Sequence, residues 1–108
     1  MPMLEPGGIA NKFAELLKEK FRDNVRKIFI FGSRAKNVAM PGSDYDFLIV
    51  LKQKDRRVID AIYDEVVSFL VDYGVDISLK IYSEDDFNRK LSQGIPFVVE
   101  AVKSGVEL

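Results

Sequence analysis

Hydrophobic and polar positions along the chain change period several times, and each change marks an element boundary. Ile9, Phe13, Leu16, Leu17 and Phe21 recur at helical spacing with Lys and Glu between them, which predicts an amphipathic helix over residues 8–23. A short apolar run of β-formers over 26–32 ends at Gly32 and reads as a buried strand. Residues 33–43 carry Lys36, Asn37, Pro41 and Gly42, a loop composition, and 44–51 read as a second strand. Lys52 to Asp55 turn the chain. Val58, Ile62, Val66, Phe69 and Tyr73 then share one stripe of a helix over 56–73, with Gly74 as its stop. Val75, Ile77, Leu79 and Ile81 alternate with Asp76, Ser78 and Lys80, the clearest half-exposed strand of the chain. Ser83 followed by Asp86 resembles a capping box, with Asp in place of Glu or Gln, and opens a third helix that ends near Gly94. Pro96 opens a last helix, Phe97 to Ser104, closed by Gly105.

The resulting order, αββαβαα, predicts an α+β fold: a small mixed β-sheet with helices on one face and the other face uncovered. No repeat or linker divides the chain, so residues 1–108 read as a single domain, with 47% apolar residues to build its core.

Strand alternation then places the chemistry. Asp44 and Asp46 fall on the face of Leu48 and Val50, opposite Tyr45, Phe47, Ile49 and Leu51. Asp76 faces away from Val75, Ile77, Leu79 and Ile81. If both apolar sets face the helices, all three aspartates converge on the open face, where their charges repel unless cations neutralise them. Magnesium suits such a site, because it takes oxygen ligands and is bound by one or two carboxylates plus phosphate oxygens. Two such ions stabilise both the attacking and the leaving oxygen of an in-line displacement at phosphorus. Asp76 is then placed to accept the proton of an attacking hydroxyl or to help orient it. Gly32 lets a phosphate approach the backbone, and the amide and hydroxyl of Ser33 can donate to it. Arg34 and Lys36 are cations suited to a leaving pyrophosphate, Ser43 lies in the second Gly-Ser turn, and Lys80 shares the strand face of Asp76. Taken singly, each of these has an ordinary explanation: a turn, a solvated strand end, a loop charge. Together they do not, since Gly-Ser-Asp-x-Asp alone arises by chance roughly once in 10⁵ positions.

Composition narrows the field further. With no Cys and no His, thiolate nucleophiles, imidazole bases, Ser-His-Asp triads and the usual zinc ligands are all excluded. A net charge of −1 gives no basic field, which disfavours nucleic acid as a partner. The first residues, Met1 to Gly8, lack the basic and apolar segments of a signal peptide, and the run Phe47 to Leu51 is far too short to span a bilayer. The expectation is a cytoplasmic protein with no membrane contact.

Gly32-Ser33, then Gly42-Ser43-Asp44-Tyr45-Asp46-Phe47, then Asp76 between Val75 and Ile77, resembles the signature of the DNA polymerase beta superfamily of nucleotidyltransferases. The Gly-Ser-Arg-Ala form is similar to its minimal nucleotidyltransferase branch, and the match runs from the first helix to the C-terminal tail. Many minimal members continue with Arg-Gly where this chain has Lys36-Asn37, which keeps the charge but not the glycine. The resemblance implies that Asp44 and Asp46 ligate magnesium, that Asp76 is the third catalytic and metal-binding carboxylate, and that Gly32 and Ser33 hold the triphosphate of ATP.

A chain of this length leaves little for an acceptor pocket, so either the protein forms a homodimer or a second protein brings the acceptor. The resemblance favours the second, because minimal nucleotidyltransferases are often paired with a small helical HEPN-domain protein. In such toxin–antitoxin pairs the enzyme transfers AMP from ATP to a tyrosine of the HEPN toxin. The alternative is a catalytically weak or inactive nucleotide-binding module that neutralises a helical partner by complex formation. Leu48 and Val50 read either as part of a partner or base contact or as ordinary sheet packing.

Overall fold

A computed structural model describes residues 6–31 and 45–108. Its elements follow the order α1 (Pro6–Lys20), β1 (Val25–Phe31), β2 (Tyr45–Leu51), α2 (Arg56–Tyr73), β3 (Ile77–Ser83), α3 (Glu84–Ser92), α4 (Pro96–Ser104) and β4 (Val106–Glu107). The strands form one mixed sheet in the order β3-β2-β1-β4. β2 runs antiparallel to β1 and parallel to β3, and α2 is the crossover that a parallel pair requires. The α+β class and the mixed sheet agree with the expectation.

Local signals account for most boundaries. The Asp55 side chain accepts from the Arg57 amide at the start of α2, and Gly74 ends that helix in the left-handed region at φ 67. The Ser83 side chain accepts from the Asp86 amide, as the cap pattern predicts, with Glu84, Asp85 and Asp86 in the first turn favoured by the helix dipole. α1 ends earlier than its apolar stripe: Phe21 continues only into a turn, where its carbonyl accepts from the amides of both Asn24 and Val25.

Two clusters pack on opposite faces of the sheet. On the first face Ile28, Ile30, Phe47, Ile49 and Leu51 meet Phe13 and Leu17 of α1 and Ile62 and Phe69 of α2. An irregularity between Val25 and Lys27 in β1 absorbs one residue, so that Val25 joins the same face as Ile28 despite the odd spacing. On the second face Phe29, Leu48 and Val50 are covered by Phe87 of α3 and by Val98 and Ala101 of α4. Phe29 and Phe87 stack with ring centroids 5.9 Å apart. Helices therefore lie on both faces, where one helical layer was expected. The reason is visible in the sequence after the fact: Phe29, Leu48 and Val50 make that face apolar, and apolar sheet surface needs cover.

The structure also adds β4, which two-residue length hid from any periodicity. β4 pairs with β1 at Ile30↔Val106 and Phe29↔Glu107, and the Leu108 amide donates to the Ile28 carbonyl at 2.8 Å. Gly105 makes this return possible. A Cβ there would overlap the Ala101 carbonyl oxygen and lie 2.9 Å from the Ile30 carbonyl oxygen, both backbone atoms that cannot swing aside. Gly105→Ala should therefore push β4 off the sheet edge and cost about 1–3 kcal/mol. Chemical denaturation measures the loss, and amide exchange at Leu108 reports whether the edge pairing has gone.

Candidate active site

The sheet register builds the site. Asp46, the second residue of β2, pairs with Phe31 at the end of β1 and with Ser78 on β3, so these three side chains share one row of one face. The next row on that face holds Phe29, Leu48 and Lys80, and the one beyond it Lys27, Val50 and Tyr82. Asp76 stands just before β3, where its carbonyl accepts from the Tyr45 amide at 2.9 Å and extends the ladder by one bond. Counting back by two from Ser78, Asp76 lies on the face of Asp46, one step along the neighbouring strand. The carboxylates thus come from adjacent parallel strands, at the end of the sheet where β1 finishes and β2 and β3 begin.

Burial distinguishes this end from the rest of the face. Leu48 and Val50 are sealed under α3 and α4, which settles them as core. Asp46 is half-buried, while Asp76, Ser78 and Lys80 are exposed. Phe31 forms an aromatic wall beside Asp46, held edge-on by Phe97 of α4 with ring centroids 5.2 Å apart. The open face of the sequence reading is therefore smaller than expected: a polar patch at one end, bounded by apolar cover.

Of the residues expected in the site, Asp46 and Asp76 are brought together on one face. Gly32, Ser33, Arg34, Lys36, Ser43 and Asp44 lie outside the described residues, so the convergence of all three aspartates is not part of the observed geometry. Ser78 and Phe31 were not singled out from sequence. Ser78 could have been, because it sits between Asp76 and Lys80 in the same polar alternation; Phe97 carried no such signal.

What this patch offers is carboxylate oxygen beside hydroxyl and ammonium groups, with an aromatic wall, a donor set for a hard cation and a phosphorylated ligand. A model of the nucleotidyltransferase domain matches residues 10–103, nearly the whole of the chain. The chain belongs to the nucleotidyltransferase family.

Its relatives agree. This nucleotidyltransferase domain is 34% identical over 85 residues to the Methanocaldococcus jannaschii protein named "Putative protein adenylyltransferase MJ1305", covering 76% of this chain and 58% of that one. It is 36% identical over 81 residues to "Putative protein adenylyltransferase MJ0604" of the same organism, covering 75% of this chain and 77% of that one. The chain thus spans little more than half the length of the first of these relatives. In three dimensions it resembles a Sulfolobus solfataricus protein described as "a putative nucleotidyltransferase", with TM-score 0.50 and 25% identity over 91% of this chain and 74% of that chain. It shares its fold with a chain of the MntA–HpeT toxin–antitoxin structure, solved as a mutant, with TM-score 0.59 and 17% identity over 90% of this chain and 69% of the other. Among the described residues of this nucleotidyltransferase, no helix is long and apolar enough to cross a membrane.

Proposed function

We propose that this chain is a magnesium-dependent protein adenylyltransferase that moves AMP from ATP onto a hydroxyl of a partner protein. The observation that carries the reading is the pair of carboxylates, Asp46 on β2 and Asp76 at the head of β3, on one face of adjacent parallel strands. Asp44, one residue before β2, adds the third carboxylate from the sequence. The donor set fits magnesium, since it offers carboxylate oxygen and the chain has neither His nor Cys to favour a softer ion. When bound, one or two such ions neutralise phosphate oxygens and the oxygens that attack and leave.

The chain's own residues do the rest. Asp44 and Asp46 hold the ions, and Asp76 accepts the proton of the acceptor hydroxyl as its oxygen bonds to the α-phosphorus. The bond from that phosphorus to the bridging oxygen breaks, and pyrophosphate leaves with the electron pair. Gly32, Ser33 and Ser43 cradle the phosphates, while Arg34 and Lys36 neutralise the leaving charge.

The relatives' names support a protein acceptor. We extend the reading to a tyrosine of a small helical HEPN-type toxin, with this chain as its antitoxin. That extension rests on the likeness to the minimal nucleotidyltransferases and on a fold shared with one chain of a toxin–antitoxin assembly.

The test incubates the purified chain with ATP, magnesium and the product of a neighbouring gene that encodes a small helical HEPN-type protein, where there is one, and weighs both proteins by mass spectrometry. An AMP-sized increase on the partner, mapped to tyrosine and absent when EDTA is added, is the expected result. If neither protein gains mass, the transferase reading fails.

A further inference from the structure

α2 carries an apolar flank that its own packing does not use. Ile62 and Phe69 are buried against the sheet, but Tyr63, Val67 and Leu70, at positions i, i+4 and i+7, are 45%, 58% and 46% exposed. At 3.6 residues per turn these three fall on one side of the helix, about 80–140° round from the line of Ile62. Glu65 lies on the other side, where it pairs with Lys20 of α1. α1 packs over β1 and α2 over β3, so the flank turned away from α1 overhangs the outer side of β3.

That side of the sheet is open. Among the described residues β3 is an edge strand, seven residues long and paired with β2 on one side only. Its outward N–H and C=O groups therefore form a row ready to pair with another strand. Leu79 and Ile81, on the face that α2 covers, are only half-buried. The apolar layer is unfinished here: helix flank above, strand edge beside, and no element beyond them among the described residues.

Whatever completes this edge must supply a strand and an apolar helix flank together, and the chain itself carries both in that relation. A two-fold axis perpendicular to the sheet sets β3 antiparallel to a second β3 and α2 antiparallel to a second α2, so the same patch meets itself. A helical partner offers no strand to the edge. Charge agrees with the antiparallel orientation. α2 has Arg56 and Arg57 in its first turn and no basic residue in its last, the reverse of what its own dipole favours. Arg56 lies on the side of Tyr63 and Val67, and its contact with Asp60 is stretched to 4.0 Å. In the two-fold arrangement Arg56 comes beside the C-terminal end of the second α2, whose carbonyls and negative dipole end favour a cation.

We infer that this chain forms a two-fold dimer through the β3 edge and the Tyr63, Val67 and Leu70 flank of α2, with one continuous sheet running through both copies. The inference does not depend on the transferase reading, and because α2 covers the face opposite Asp46 and Asp76, the dimer leaves the carboxylate face free. Val71 points straight away from the sheet, about 180° from Ile62, and stays outside the contact. The rival explanation is that Lys80, in the middle of β3, keeps the edge unpaired.

Sedimentation velocity of the full chain over a range of micromolar concentrations tests this. The wild type should reach twice the 12.3 kDa of one chain. Val67→Glu and Leu70→Glu should each weaken the dimer by about 100-fold or more, while Val71→Glu leaves it intact, with circular dichroism to show that all three fold. Hydrogen exchange on the wild type needs no substitution: the outward amides of β3 should gain protection as concentration rises. A wild type that stays monomeric overturns the inference in favour of the Lys80 guard. If that monomer binds a helical protein and Leu70→Glu abolishes the binding, the flank belongs to a helical partner instead, and the inference is equally overturned. A dimer that survives both flank substitutions, is lost in Val71→Glu, or forms with no new protection in β3 uses another surface and overturns it too.

Discussion

Asp46→Asn should abolish AMP transfer, by at least about 10³-fold, without unfolding the domain. A lost metal ligand removes several kcal/mol of transition-state stabilisation, and each 1.36 kcal/mol is a factor of ten in rate. Asn keeps the shape of the side chain, removes the charge and turns one acceptor oxygen into an N–H donor, at a half-buried position one diagonal step from another carboxylate. Magnesium with ATP at ~100 times Kd should stabilise the wild type by about 2.7 kcal/mol, and the variant should lose most of that gain. Thermal shift with and without the ligand checks this, alongside the mass assay. A variant that still transfers AMP would remove Asp46 from the metal site. If the variant loses transfer but still neutralises a toxin partner, complex formation rather than modification does the biological work.

Asp46 and Asp76 also show what a sequence can and cannot disclose about such a site. Their face was legible because side chains alternate along any strand and the polar–apolar alternation in Val75 to Ile81 marks which set faces the core. Their relative position was not, because it depends on the register Asp46↔Ser78, which belongs to pairing between strands and leaves no trace in either one. α2 was legible almost to the residue, from its stripe and from Gly74. The second helical layer was not. Phe29, Leu48 and Val50 on the aspartate face were the clue, but on that face they read equally as a surface for a partner or a base. Only Phe87, Val98 and Ala101, from helices that follow in the chain, establish them as core. β4, two residues long, spans a single strand period and was invisible for that reason.

Phe13→Ala should be the most destabilising single truncation in the first cluster, at about 3–5 kcal/mol. Phe13 is 0% exposed and ties three elements together. Its ring lies 5.0 Å from that of Phe47 on β2 and 5.2 Å, edge-on, from that of Phe69 on α2. Phe47 in turn stacks on Tyr45 at 6.5 Å, and Phe69 meets Tyr73 at 5.1 Å, so the vacancy opens at the centre of an aromatic chain running from the head of β2 to the end of α2. The loss combines transfer of a large apolar side chain with a cavity that rigid neighbouring rings cannot close. Marginal stability makes that a large share of the total for a domain of this size, so denaturant midpoints should fall sharply with little change in slope. The consequence reaches the site, because Tyr45 and Asp46 are consecutive on β2 and the Tyr45 amide holds the Asp76 carbonyl. At temperatures where the variant is still folded, weaker fixation of the head of β2 should lower affinity for magnesium and ATP together. A surface change such as Val71→Ala, at a residue 76% exposed on α2, should move neither the midpoint nor the affinity. Equal midpoints for Phe13→Ala and Val71→Ala would show that the aromatic chain is not what holds β2 in place.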